Sequence, residues 1–202
     1  MRDLISRCLR RSYDPQALTG DFAVAGVAPE QRELKHAAVL VPLVERSDGI
    51  TVLLTQRTHH LANHAGQVSF PGGGAEQDDA DPIATALRET EEELGLERSY
   101  IEIAGFLDLY QTVTGFLVTP VVGFVKPAFN LKPDPFEVAE VFEVPLSFVL
   151  DPRNHQRQSR VFRGERRHFY VLPYENYYIW GATAAMLVSF YKKLEPELAV
   201  ER

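Results

Sequence analysis

The chain has 202 residues, 45% hydrophobic and 24% charged, which is enough for a domain with a sizeable core. Its net charge of −7 argues against general nucleic-acid binding, and no run of about 18 apolar residues is present to cross a membrane. The single cysteine, Cys8, excludes an intrachain disulfide and suits a reducing compartment. Because the N-terminus also lacks an apolar signal segment, we expect a cytoplasmic protein of one domain, with its core over about residues 35–194 and an N-terminal extension over 1–34.

The predicted elements begin with a short amphipathic helix over residues 1–10 and a loop from about Pro15 to Pro29. Apolar, β-branched runs at Ala37–Val44 and Ile50–Thr55 predict two strands, and the turn residues Ser47-Asp48-Gly49 between them predict a hairpin. A polar loop follows and leads to a run of glycines.

An acidic helix is the best-defined element of the pattern. Asp81 is a good N-cap, Pro82 suits the first helical position, and Gly95 is a natural C-terminal stop. Apolar positions recur at i, i+4, i+7 and i+11 and are predicted to face the core. They are Ile83, Leu87, Thr90 and Leu94.

Strands dominate the rest of the chain, which closes with a second long helix over about Gly181–Leu194. A short helix is predicted after Pro145, and a further pair of strands is predicted at Arg157–Phe162 and His168–Leu172. The other predicted strands are Ile101–Leu107, Val118–Val125 and Val138–Val144. Strands interleaved with two separate helices predict an α+β fold, with a mixed central sheet between helices.

Three carboxylates gather on one side of the acidic helix. Glu89, Glu92 and Glu93 fall within an arc of about 100°, away from the predicted core stripe. Two carboxylates ~5–6 Å apart repel by roughly 3 kcal/mol at an effective dielectric constant of ~20, and Arg88 alone cannot neutralise three acids. Oxygen-only ligation is what Mg²⁺ or Mn²⁺ prefers, so this face predicts a divalent metal site.

The same segment resembles the Nudix box, G-x5-E-x7-R-E-U-x-E-E-x-G-U, where U is apolar. Counted from Gly74, the elements Arg88-Glu89, Glu92-Glu93 and Gly95-Leu96 are in register. Two positions depart: Ala80 stands where the box has its first glutamate, and Thr90 replaces an apolar residue. The acids that can take over the role of that glutamate are Glu76, Asp78, Asp79 and Asp81.

A second resemblance is to the signature of Nudix coenzyme A pyrophosphatases. Leu53-Leu54-Thr55-Gln56-Arg57, Gly66 and Phe70-Pro71-Gly72-Gly73 match its spacing throughout. Thr58 replaces a small residue of the signature, and Ala62 stands in place of its second arginine. The run Glu140–Leu146 and the segment Ile179–Ala184 also look like this subfamily. The resemblance covers about residues 37–194.

The resemblance implies a Nudix-type α/β/α sandwich and metal-dependent hydrolysis of a nucleoside diphosphate derivative. For coenzyme A, the products are 4′-phosphopantetheine and adenosine 3′,5′-bisphosphate. The implied metal ligands are Glu89, Glu92, Glu93 and the Gly73 carbonyl. The implied catalytic residues are Glu89, Arg88 and Glu92. The implied substrate contacts are Arg57, His64, Gly72 and Phe70.

Several alternatives remain open from the sequence. The general base is either a box glutamate or a later acid, Glu137 or Glu140. The arginines between Arg153 and His168 are interpreted either as contacts to the extra 3′-phosphate of coenzyme A or as surface and homodimer contacts. His59, His60 and His64 lack the spacing and the cysteine partners of a zinc site.

Three functions follow from this pattern. The leading hypothesis is coenzyme A hydrolysis with Mg²⁺ or Mn²⁺. The second is hydrolysis of another nucleoside diphosphate derivative, such as ADP-ribose or a dinucleotide. The third is a binding module of the same fold without catalysis.

Overall fold

The computed structural model describes residues 1–26, 33–61, 63–162 and 164–200. The helices found there are α1 (Arg2–Cys8), α2 (Asp21–Ala25), α3 (Pro82–Leu94), α4 (Leu146–Val149) and α5 (Gly181–Val200). The strands found there are β1 (Leu18–Gly20), β2 (Lys35–Arg46), β3 (Gly49–Arg57), β4 (Val68–Ser69), β5 (Gly72–Gly74), β6 (Ile101–Phe106), β7 (Leu109–Gln111), β8 (Phe116–Val125), β9 (Val138–Pro145), β10 (Gln156–Phe162), β11 (Glu165–Tyr174) and β12 (Tyr177–Trp180).

The described strands form a large mixed sheet and a small antiparallel one. The large sheet has the order β1-β7-β8-β2-β3-β4, with β5 also paired to β2, β6 to β8 and β9 to β3. The pairs β1–β7 and β2–β8 are parallel, and the others in this sheet are antiparallel. The small sheet has the order β10-β11-β12. The predicted mixed sheet is therefore confirmed.

Strand β2 shows why helices cover both faces of the large sheet. Ala38 and Leu40 belong to a cluster with Ala86 of α3, whereas Val41 and Leu43 belong to the main cluster, which contains the buried residues of α5. Neighbouring side chains of a strand point to opposite faces, so this run of apolar residues is buried on both sides. The predicted α/β/α sandwich is confirmed. None of the helices in the described ranges is long and apolar enough to span a membrane.

The predicted loop from Pro15 to Pro29 was wrong in its central part. That segment contains β1 and α2, while its last residues lie outside the described part of the chain. The short β1 pairs in parallel with β7, as in Leu18 opposite Leu109. A strand of three residues is too short to show an alternating hydrophobic pattern, and its partner β7 is far away in the sequence. The sequence of this segment therefore gave no sign of the strand. The predicted C-terminal hairpin is confirmed, with Gln156 opposite Val171.

Helix α3 begins and ends where its capping residues predict. The Asp81 Oδ1 accepts a hydrogen bond from the Ala84 nitrogen at 2.8 Å, and Gly95 closes the helix with a φ of 64°. The buried face, however, is turned relative to the predicted stripe, and Ile83 and Leu87 remain partly exposed. The buried residues are Thr85, Ala86, Thr90, Glu93 and Leu94.

Asp108 joins the N-terminal segment to the last helix. Its Oδ1 accepts hydrogen bonds from Arg10 Nε at 3.1 Å and from Lys193 Nζ at 3.0 Å. Burial opposes the charge, but the hydrogen bonds and charges of Lys193 and Arg10 outweigh it and lower the pKa of Asp108. The carboxylate thus holds together two segments that are far apart in the chain.

We expect Asp108→Asn to lower the free energy of unfolding at pH 7 by about 1–2 kcal/mol, because hydrogen bonds to a partly exposed charged group are lost. A lowered pKa contributes stability above the unfolded-state pKa and loses it as the pH falls through the folded-state value. The difference from wild type should therefore persist at about pH 5 and shrink near pH 3. Urea unfolding at the three pH values measures it. Asp48→Asn, in an exposed turn, is the matched control, and an equal loss there would contradict the assignment.

Candidate functional site

The acidic helix α3 contacts the glycine strand β5 through a buried carboxylate. Glu93 is only 6% exposed, and its Oε2 accepts a hydrogen bond from the Gly72 nitrogen at 3.1 Å. The expectation that Glu89, Glu92 and Glu93 all lie away from the core was wrong for Glu93. The buried face of α3 passes through Thr90 and Glu93, so one acid of the cluster points into the protein.

The glycines of β5 allow the helix to lie against the strand. A Cβ atom on Gly72, where φ is 148°, would collide with the Ala38 carbonyl oxygen. A Cβ atom on Gly73 would lie 2.5 Å from the Glu89 carboxylate. A side chain at Gly72 would push the strands apart, so glycine is required there by close approach. A side chain at Gly73 would displace the Glu89 carboxylate instead.

Arg88 is the centre of the acidic network. Its Nε donates to Asp79 Oδ1 at 3.0 Å and its Nη2 to Asp79 Oδ2 at 3.0 Å, a two-point pair. Its Nη1 donates to Glu89 Oε1 at 2.9 Å and Glu92 Oε2 at 3.1 Å, and its Nη2 also donates to the Gly74 carbonyl at 3.0 Å. These contacts hold the pKa of Asp79 well below its usual range. Arg88 thereby fixes both neighbouring glutamates.

Asp79, the neighbour of Ala80, supplies an acid that contacts Arg88 where the box glutamate is missing. Among the four acids considered from the sequence, Asp79 is the one that binds Arg88 at two points and is nearly buried, with its side chain 8% exposed. Glu76 is 67% exposed and lies 3.9 Å from Arg88, while Asp81 caps α3 and Asp78 is exposed. The extra residue between the glycines and α3 explains why the acid stands one position earlier.

Arg57 stands between two acids without a close hydrogen bond to either. Its Nη1 lies 3.6 Å from Glu93 Oε1 and its Nη2 lies 3.6 Å from Glu137 Oε2. Its buried Nε has no hydrogen-bond partner among the described residues. A buried guanidinium nitrogen without a partner carries a desolvation cost that a bound anion would offset.

The loop before β9 is pinned so that Glu137 reaches the site. The Asp134 nitrogen donates to the Glu93 carbonyl at 2.9 Å, which ties the loop to the end of α3. At the end of β3, the Thr58 nitrogen donates to the Glu137 carbonyl at 2.9 Å and its hydroxyl to the Phe136 carbonyl at 2.8 Å. Thr58, which replaces the small residue of the signature, therefore helps to position Glu137, a candidate base.

Glu140, the other acid considered as a base, lies elsewhere. It pairs with Gln56 across the sheet, and its Oε1 accepts a hydrogen bond from the Tyr177 hydroxyl at 2.7 Å. The ring of Tyr177 is stacked on Phe142 at a centroid distance of 3.5 Å. Glu140 thus belongs to a contact between the two sheets, whereas Glu137 belongs to the acidic cluster.

The carboxylates of the cluster are short of positive charge. Burial raises the pKa of Glu93 to about 7, and the charges of Glu137 and Glu89 raise it further, against the opposing Gly72 hydrogen bond and Arg57. Burial also raises the pKa of Glu89, although Arg88 opposes the shift. These acids gain when a further cation neutralises them.

The donors of this cluster fit a divalent metal in their chemistry. Glu89 and Glu93 place carboxylate oxygens at the glycine strand. Glu92 and Glu89 accept hydrogen bonds from the same nitrogen of Arg88. Hard divalent cations prefer such oxygen ligands. In the described part of the chain, no group of three His, Cys, Asp or Glu side chains is arranged closely enough to hold a metal ion as it stands. The fit therefore rests on donor type and uncompensated charge.

The three histidines take separate places. The His64 Nδ1 lies 2.9 Å from Gln67 Oε1, and His64 lines the cavity described below. His60 packs against Phe136 with a centroid distance of 4.7 Å, and His59 packs where Gly66 leaves space. Each of the three side chains therefore makes its own local contact.

A cavity of about 1140 Å³ opens beside the glycine strand. One part of its wall contains the residues that the sequence predicted as substrate contacts or metal ligands, together with Gly74. These predicted residues are Arg57, His64, Phe70, Gly72 and Gly73. Glu89, Glu92 and Glu93 do not line the cavity, which meets the acidic cluster at the glycines and Arg57.

Sequence reasoning found the opposite wall only in part. Phe22 of α2, Phe116 and Trp180 contribute rings there, and the β10–β11 hairpin contributes basic residues. Trp180 is 37% exposed and lines the cavity. The cluster of arginines between Arg153 and His168 was the available signal.

Comparisons with known proteins agree with this geometry. A family model described as the NUDIX domain matches residues 34–164. The uncharacterized Nudix hydrolase NudL of Escherichia coli K12 is 42% identical over 153 residues, which cover 76% of this chain and 79% of that protein.

Solved structures support the fold. The MutT protein of Methanosarcina mazei Go1 matches with a TM-score of 0.52 at 21% identity, over 83% of this chain and 98% of that one. A MutT/nudix family protein of Enterococcus faecalis matches with a TM-score of 0.52 at 18% identity, over 84% of this chain and 65% of that one. Together with the match of the family model over more than half of the chain, these findings show that the chain belongs to the Nudix hydrolase family.

Proposed function

We propose that this Nudix pyrophosphatase hydrolyses the diphosphate bond of coenzyme A or its derivatives, using Mg²⁺ or Mn²⁺. The observation that carries the proposal is the meeting of a large cavity with the acidic cluster at Gly72–Gly74 and Arg57. A diphosphate at this junction would have carboxylates on one side and room for the rest of a large substrate on the other.

We assign the metal to Glu89, Glu92, Glu93 and the Gly73 carbonyl. Nudix hydrolases as a family generally use divalent metals. Such an ion would neutralise charge on the diphosphate and lower the pKa of a bound water. The protein supplies the fixed positions: Arg88 holds Glu89 and Glu92 by hydrogen bonds, and the Gly72 nitrogen holds Glu93.

Arg57 is the proposed diphosphate ligand. Both of its ion-pair distances, 3.6 Å, are longer than hydrogen bonds, and its Nε has no partner among the described residues. A phosphate oxygen can therefore engage the guanidinium without first breaking a strong contact. His64, Phe70 and Gly72 complete the proposed contacts along the cavity wall.

Glu137 is the proposed general base. Its carboxylate stands beside Arg57 and is 43% exposed, so it can reach a water molecule. With a diphosphate bound at Arg57, Glu137 would stand beside the phosphate and act as the base. It accepts the proton of the attacking water, while Arg57 stays on the phosphate.

The substrate is tested with a panel of diphosphates. We expect purified protein with Mn²⁺ or Mg²⁺ to cleave coenzyme A to 4′-phosphopantetheine and adenosine 3′,5′-bisphosphate, identified by mass spectrometry, with the highest kcat/KM in the panel. ADP-ribose and a dinucleoside polyphosphate are the comparison substrates. A higher kcat/KM for either of them would reject coenzyme A in favour of the second hypothesis from the sequence.

The metal assignment is tested at the buried acid. Glu93→Gln should lower kcat by at least ~10²-fold, because the substitution removes a charged ligand. The free energy of unfolding should not fall, since the amide keeps an acceptor for the Gly72 nitrogen and removes a buried charge. Glu91→Gln, on the same helix, is the control, because Glu91 is 45% exposed and lies 3.5 Å from Arg98. Full activity of the Glu93 variant would show that the assignment is wrong.

The base is tested by comparing two acids of neighbouring segments. Glu137→Gln should lower kcat by about 10²-fold or more, in the range expected for loss of a general base. Glu140→Gln should leave kcat close to wild type, because that carboxylate is bonded to Tyr177 on the second sheet. Steady-state kinetics with saturating metal measures both, and equal effects of the two substitutions would contradict Glu137 as the base.

A further inference from the structure

The cavity is electropositive in a protein that carries a net charge of −7. Its wall contains Arg57 beside the glycine strand and three arginines of the β10–β11 hairpin, Arg160, Arg166 and Arg167. Asp21 is the one acid among the described residues of the wall, and it is already engaged. It accepts hydrogen bonds from the Tyr110 hydroxyl at 2.6 Å and the Val113 nitrogen at 2.7 Å. A cavity with this balance favours an anionic ligand.

Two of the hairpin arginines repel each other, and a bound anion would reduce that repulsion. Arg160 and Arg167 stand directly opposite each other on neighbouring strands, and like charges in directly opposed positions destabilise a sheet. Neither Arg160 nor Arg166 forms a side-chain hydrogen bond or ion pair with a described residue. By contrast, Arg153 outside the cavity is bonded to Asp151, with Nη2 at 2.6 Å from Oδ2.

Apolar and aromatic side chains line the same cavity as the two basic regions. Phe22, Phe116, Phe169 and Trp180 contribute rings to the same wall, and Phe169 and Trp180 lie edge to face at 5.7 Å. Such a wall suits a planar or apolar part of a ligand. The cavity volume of about 1140 Å³ is at the upper end of ordinary ligand sites.

Part of the far wall lies outside the part of the chain that the family model matches. The model covers residues 34–164. Phe22, Arg166, Arg167 and Trp180 stand before or after it, whereas Phe116 and Arg160 lie within it. The diphosphate end of the cavity therefore belongs to the matched core, and the far end combines core residues with residues outside it. Residues outside the core are where selectivity for one substrate can be set without disturbing the core.

We propose that Arg160, Arg166 and Arg167 form a second anion-binding subsite, which holds a phosphate of the substrate remote from the diphosphate that is cleaved. The subsite selects nucleotides that carry an additional phosphate over those that lack it. This inference rests on the proposed function for the identity of the substrate, but the subsite itself can be measured without hydrolysis.

The first experiment compares two nucleotides that differ by one phosphate. Adenosine 3′,5′-bisphosphate and adenosine 5′-monophosphate are titrated by calorimetry into the full-length protein with EDTA present, and Trp180, the only tryptophan, reports on the cavity by fluorescence. We expect the bisphosphate to bind at least about tenfold more tightly, in keeping with charge-assisted hydrogen bonds. Equal affinities, or no binding of either nucleotide at millimolar concentration, would overturn the proposal.

The variants make the test specific. Arg160→Gln combined with Arg166→Gln should remove most of that tenfold preference, and Arg166→Gln alone should remove part of it. Arg153→Gln is the matched control, because it deletes the same charge from an arginine that is 88% exposed and outside the cavity. Circular dichroism verifies the fold of each variant. Retention of the preference in the double variant, or an equal loss in the control, would refute the subsite.

Kinetics then separate the two proposals. In the double variant, KM for coenzyme A should rise about tenfold more than KM for dephospho-coenzyme A, which lacks the remote phosphate. If the wild-type protein cleaves neither compound, the proposed function fails, and the nucleotide titration still decides the subsite. If both are cleaved but the double variant raises both KM values equally, the subsite fails and the proposed function stands.

Discussion

The burial of the Glu93 carboxylate beneath a strand of glycines is the constraint on which the rest of the site depends. A charged acid with 6% exposure is tolerated only where donors and cations approach it closely. The Gly72 nitrogen and Arg57 are the groups that do so, and the strand can approach because Gly72 carries no Cβ. The geometry of helix, strand and arginine thus follows from a single buried charge.

A second layer of contacts keeps the acids from spreading apart. Arg88 connects Asp79, Glu89, Glu92 and the Gly74 carbonyl. A bidentate guanidinium fixes directions as well as distances, so the network orders the chain between the glycines and α3 as well as the helix. Glu93 lies outside this network, and its burial raises its pKa to about 7.

Sequence patterns predicted the sandwich, the limits of α3 and the acidic cluster, because these depend on local capping, periodicity and motif spacing. They did not predict that Glu93 is buried. The buried face of α3 is rotated only slightly from the predicted stripe through Ile83 and Leu87, and a small rotation is enough to bring Glu93 into the core. They left Asp79 and Glu137 among several acids, because a choice between neighbours requires knowing which one faces Arg88 or Arg57. The far wall of the cavity brings α2 together with β11 and α5, and no pattern within either segment predicts that contact.

The two sides of the acidic cluster are brought together by pairing across long stretches of chain. Gly72 and Gly73 are held on β2, β2 pairs in parallel with β8, and Lys35 stands opposite Phe116. An unfolded chain has no such juxtaposition of Glu89, Glu93 and the glycines. Any ion or nucleotide that binds there binds the native state alone, so its concentration enters the folding equilibrium by mass action. The melting temperature of this protein therefore depends on the concentrations of such ions and nucleotides as well as on its own contacts.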